Sequence, residues 1–148
     1  MPTRAQKIPV SQLYVNGGKQ VAWSGSGLIS LVFQLNPSAK NSLETFGLAG
    51  ESVNGQTLSG YGEFQCFVQT FALSGVLLAY VTVPIFVGKL KVFFSPTQVL
   101  QENFATSINL ERTKIPLGYQ AVVVSFISPD WFTFNMLANN AWLTVLEE

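Results

Sequence analysis

Few side chains in this sequence could carry chemistry. The carboxylates are Glu44, Glu51, Glu63, Glu102, Glu111, Asp130, Glu147 and Glu148. Glycoside hydrolysis needs two of them facing each other across a cleft, about 5–10 Å apart. Glu44 and Glu63 flank one long irregular stretch and are the pair that could be so arranged. The chain has no histidine, so the commonest general acid–base side chain is missing. The single cysteine, Cys66 in EFQCFVQTF, cannot form an internal disulfide. With no imidazole to act as its base it reads as a small buried hydrophobe. Zinc sites want Cys and His. Calcium loops want clustered Asp and Asn oxygens, whereas the one aspartate, Asp130, is followed by Trp131. GSGLIS after VAW lacks the third glycine of a phosphate-binding loop and runs on as an alternating strand. The expectation is a protein that is not an enzyme, with no catalytic residues, no metal and no cofactor.

Binding chemistry has two candidate sources. Lys89 with Lys91, and Arg112 with Lys114, alternate along expected strands and would each face one side. Eight basic residues balance eight acidic ones, for a net charge of zero. Phosphate backbones call for clustered cations, so direct nucleic-acid binding is not expected and the pairs read as solvated strand faces. The aromatics Trp23, Trp131, Trp142, Tyr14, Tyr61, Tyr80 and Tyr119 could form a platform for stacking sugars. Aromatics in β proteins are usually core residues. Tyr61, between Gly60 and Gly62, is the best placed for exposure.

The elements that must position these groups are strands. Gln12–Val15 and Lys19–Trp23 flank Asn16-Gly17-Gly18, a hairpin turn signal, and Ser24–Gly27 breaks the second strand. In LISLVFQLN, Ile29, Leu31, Phe33 and Leu35 point one way and Ser30, Val32 and Gln34 the other. Residues 36–62 are rich in Gly, Ser and Asn and read as a long excursion or arm, with a short hairpin at Asn54-Gly55. Strands follow on either side of Ser74-Gly75, then at Lys89–Phe94, Ser107–Ile115, Gly118–Ile127, Trp131–Met136 and Ala141–Val145. Ser95-Pro96 with Gln98 marks one short helix across SPTQVLQENF.

From Phe64 to Gly88 there are 25 residues without a charge, long enough to span a bilayer. Pro84, the Ser74-Gly75 turn signal and the period-two row Leu77, Ala79, Val81, Val83, Ile85, Val87 favour strands over a membrane helix. MPTRAQKIPV has no apolar stretch of signal-peptide length. The expected fold is therefore all-β: an antiparallel β-sandwich of about eight to ten strands with at most one or two short helices. Residues 1–148 would form one domain.

The composition points to what such a fold is for. Hydrophobic residues make up 48% of the chain and charged residues 11%, against about 25% charged in ordinary domains. Strands from Phe64 to Phe94 and from Gly118 to Val145 are apolar on both faces, so the second face needs cover too. At this level the chain resembles the small single jelly-roll and related β-sandwich structural proteins of virus particles, bacteriophages included. The resemblance implies a capsid, decoration or spike component that forms homo-oligomers and meets other virion proteins. It would be located in the virion after assembly in the host cytoplasm. The alternative is a carbohydrate-binding β-sandwich module whose exposed aromatics hold a glycan.

Overall fold

The computed structural model describes residues 4–15, 18–20, 22–25, 27–52, 62–73, 84–94, 103–128, 134–137 and 141–148. Among these there are twelve strands and no helix. Eight strands have six residues or more: β1 (Arg4–Pro9), β5 (Gly27–Gln34), β6 (Asn41–Ser52), β7 (Gly62–Leu73), β8 (Phe86–Phe94), β9 (Asn103–Ile115), β10 (Ala121–Ser128) and β12 (Ala141–Glu147). Four are short: β2 (Gln12–Val15), β3 (Gly18–Gln20), β4 (Ala22–Gly25) and β11 (Phe134–Leu137). All pair antiparallel, in two sheets of six strands. The protein is an all-β antiparallel sandwich.

The first sheet runs β1-β12-β6, with β9 on the far side of β6 and β11-β4 continuing beyond Glu51. The second runs β3-β2-β5-β10-β7-β8. Among the eight long strands the pairing is nested. The first pairs with the last (β1 with β12), the second with the seventh (β5 with β10), the third with the sixth (β6 with β9) and the fourth with the fifth (β7 with β8). The β12–β6 and β10–β7 ladders then stitch the folded ribbon into its two sheets.

Alternation decides what goes inside. Ile29, Leu31 and Phe33 of β5, Val122, Val124 and Phe126 of β10, and Val68 of β7 face Leu43, Phe46 and Leu48 of β6 and Leu143 and Val145 of β12 in one core. Phe46 sits at its centre, edge-on to Phe33 with centroids 6.1 Å apart and tilted against Phe126 at 6.3 Å. Edge-to-face contacts of this kind add to the area that the rings bury. Asn41 plugs one end of the sandwich: its Nδ2 donates to the carbonyls of Asn36 and Ala39, closing the 36–40 connection.

The structure changes five expectations. The expected strand Lys19–Trp23 is divided between β3 of the second sheet and β4 of the first, and the expected break at Ser24–Gly27 is strand at Ser24, Gly25 and Gly27. Much of the expected excursion at 36–62 is strand: β6 spans Asn41–Ser52 and is flanked by β12 and β9. Its buried residues Leu43, Phe46 and Leu48 are spaced by three and then two, because Glu44 is an extra residue where the β12 register shifts between Thr144 and Val145. Such a bulge breaks the period-two pattern by which strands are recognised. The Asn54-Gly55 hairpin lies outside the described residues. Lys89–Phe94 is not a separate strand but continues β8 from Phe86, and residues 74–83 lie outside the described set. The expected helix falls mostly on undescribed residues 95–102, but its last two, Asn103 and Phe104, begin β9. β1 was not expected; its apolar Ile8 packs on the core while Lys7 is exposed.

A second irregularity lies in β9. Between the pairs Thr45–Asn109 and Leu43–Thr113, β6 has one residue and β9 has three, Leu110, Glu111 and Arg112. Glu111 and Arg112 both take left-handed backbone, with φ of 57° and 53°, a conformation that costs an L-residue roughly 1–2 kcal/mol.

Candidate functional site

The two outer faces of the sandwich differ in chemistry. On the first sheet, exposed Lys7, Asn109, Arg112 and Lys114 accompany Thr45 and Thr144. Trp142 is the aromatic exception. It stands opposite Gly47, and a Cβ added to Gly47 would fall within its indole ring, 2.6 Å from Nε1. Lys7 Nζ lies 4.7 Å from the ring centroid. The indole thus rests on a strand position that only glycine leaves open, with an ammonium over it.

The outer face of the second sheet is built from apolar cross-strand rows. Leu28 of β5 stands opposite Ile127 of β10, and Phe67 lies on the next strand, β7, one residue before the Val68–Phe126 pair. These three are 43%, 55% and 48% exposed. On β8, exposed Lys89 stands opposite Phe67, Val87, 47% exposed, stands opposite Gln69 one row on, and Ile85, 37% exposed, lies just before the strand. The next row is polar: Ser30 and Ser125 are paired across β5–β10 and share a hydrogen bond of 2.9 Å between their hydroxyls, with Gln69 opposite Ser125. The two rows after that are apolar and covered: Val32 with Val123, then Ala121 with Leu73, form a second cluster against Tyr14 and Phe71.

This face can be covered cheaply. Its central hydroxyls already share one hydrogen bond, so burial leaves only one of the two O–H groups to find an acceptor. Five half-exposed large side chains, at ~150–250 Å² for an aromatic and somewhat less for an aliphatic, amount to a few hundred Å² of apolar surface. That is the range in which patches act as interaction sites.

The residues singled out from sequence are mostly dispersed. Glu44 is on β6 in the first sheet and Glu63 on β7 in the second, in strands that do not pair. The arrangement brings no carboxylate pair together there. Instead, Arg112 Nε approaches Glu44 Oε1 to 3.2 Å, with Arg112 three-quarters exposed. The oxygen has no aligned hydrogen-bond donor, which makes this a charge contact. Among the described residues no group of three His, Cys, Asp or Glu could hold a metal. Cys66 stands in β7 opposite Leu90. Lys89, Arg112 and Lys114 are exposed, Lys89 on the second sheet and the other two on the first. Tyr61, Tyr80 and Trp131 lie outside the described residues. Tyr14 and Tyr119 are half-buried against the two hydrophobic clusters, and Tyr14 donates to Gln12 Oε1 at 2.8 Å.

The Leu28–Ile127–Phe67 row was not singled out from sequence. Its signal was the double-faced apolarity of β7 and β10, but only the strand order brings Leu28 to the same place. No described helix is long and apolar enough to cross a membrane. A scan against protein-family models finds no match to this chain, and a search of curated proteins finds none either.

Proposed function

We propose that this protein is a non-enzymatic structural component of a virus particle, as capsid, decoration or spike, assembling with its own copies through the outer face of the second sheet. The observation that carries this reading is the exposed row Leu28, Ile127 and Phe67, bordered by Lys89 opposite Phe67 and by Val87 one row on. The strand order supports it. A ribbon paired first-to-last and folded over into two four-stranded sheets is the pattern of a jelly roll, the double Greek key that viral capsid domains use. The short strands β2 and β3 then extend one sheet edge, and β4 and β11 extend the other sheet. Other virion proteins would be the second class of partner, and the virion, assembled in the host cytoplasm, the location.

The glycan-binding alternative has less support. Trp142, the aromatic on the polar face, is already engaged by Gly47 and Lys7. Size-exclusion chromatography with light scattering, run over a range of concentrations at physiological salt, tests the assembly reading. It expects oligomers that dissociate when Phe67 and Ile127 are both replaced by lysine. A monodisperse monomer at high concentration would overturn it.

A further inference from the structure

At 13 residues, β9 is the longest strand, and among the described residues it pairs with β6 alone. Among those residues its other side is a sheet edge. A long edge with free N–H and C=O groups is a template on which a strand of another chain can add. Only 11% of the residues are charged and the net charge is zero, so general electrostatic repulsion gives little protection. Near Ile108 the edge is closed by packing, with Ile108 lying over Gly88 of β8. Beyond it, Asn109, Glu111 and Arg112 are all exposed.

There the strand leaves the ladder. Leu110 turns inward and is fully buried, while Glu111 and Arg112 form a left-handed hump. Neither is the glycine or asparagine that adopts this backbone readily. Side chains of the strand itself engage both ends of the Leu110–Glu111 peptide, so whichever of its two groups faces the edge already has a partner. The Glu111 N–H donates to Asn109 Oδ1 at 2.7 Å, and the Thr113 hydroxyl donates to the Leu110 carbonyl at 2.7 Å. Arg112 is drawn back toward Glu44 on β6.

We infer that the Asn109–Thr113 hump is an edge stop that prevents copies of this chain from joining strand to strand along β9. Such a stop confines association to faces, and it operates whatever the face contact serves.

The test is made in the full chain carrying Phe67→Lys and Ile127→Lys, so that face association does not contribute. Glu111→Val with Arg112→Val disfavours left-handed backbone and favours extended strand. It should raise the associated fraction in sedimentation velocity at least tenfold, with β9 amides newly protected from hydrogen exchange. Glu111→Asn with Arg112→Gly removes the same two charges but keeps the left-handed hump, and should behave as the parent. Equal association by both pairs would assign the effect to charge and overturn the inference, as would no gain from the valine pair. Should circular dichroism show the valine pair unfolded, Asn109→Ala is the deciding variant. It frees the Glu111 N–H without adding a β-branched residue, and a folded Asn109→Ala protein that gains no association refutes the edge stop.

Discussion

Gly47→Ala is the smallest change that probes the outer face of the first sheet. The added methyl would enter the Trp142 indole, and the neighbouring strand fixes that ring opposite position 47. The ring must lift away. A half-buried tryptophan that swings off its seat loses on the order of 100 Å² of contact, which at ~25 cal/mol per Å² is about 2.5 kcal/mol. The Lys7 ammonium, 4.7 Å from the ring centroid, contributes a further ~0.5–1 kcal/mol that is also lost. Removing a glycine from a strand interior returns roughly 0.5–1 kcal/mol. The net expectation is a loss of about 2–3 kcal/mol, or a drop of roughly 5–10 °C in Tm for a domain of this size. Urea denaturation followed by circular dichroism measures it. The decisive comparison is the same substitution made in Trp142→Ala. With the indole gone, Gly47→Ala should become neutral or stabilising by up to ~1 kcal/mol, a coupling of roughly 3 kcal/mol between the two positions. If Gly47→Ala destabilises equally in both backgrounds, the glycine is needed for backbone reasons and the account of its seat is wrong.

Phe46→Ala opens the centre of the core between Phe33 and Phe126 and should cost ~3–5 kcal/mol in denaturant titration. Thr70 is fully buried and its hydroxyl has no hydrogen-bond partner. Thr70→Val should therefore be neutral or raise stability by about 1 kcal/mol, seen as a higher Tm. Arg112→Ala removes a contact whose cationic partner is largely solvated. It should change stability by less than about 1 kcal/mol, with the remaining effect fading as salt is raised. Phe67→Lys with Ile127→Lys alters side chains that are each about half exposed. It should lower the oligomer mass in light scattering while keeping cooperative unfolding.

Where strands alternate cleanly, the fold was legible in the sequence. Ile29, Leu31 and Phe33 point inward as the pattern of β5 requires, and Val15 pairs with Gly18 on either side of Asn16-Gly17. It was illegible where the ladder is irregular. The extra residue Glu44 throws Phe46 and Leu48 out of phase with Leu43, and the surrounding Gly, Ser and Asn look like loop. The hump in β9 has the opposite disguise: LERTK alternates well enough to pass for straight strand, although Glu111 and Arg112 leave it. The outer row of the second sheet depends on which strands are neighbours. β5 and β10 lie 95 residues apart at Ser30 and Ser125, a separation that no local pattern spans.

The nesting of the pairs also sets the timing of biosynthesis. Arg4–Pro9 emerges from the ribosome long before its partner Ala141–Glu147. At 5–20 residues per second the wait is on the order of ten seconds. Until then the β12 side of β6, with its buried Leu43, Phe46 and Leu48, has no permanent neighbour. Closure of the sandwich therefore waits for residues 141–147, and until they are made the nascent chain carries an open apolar ribbon.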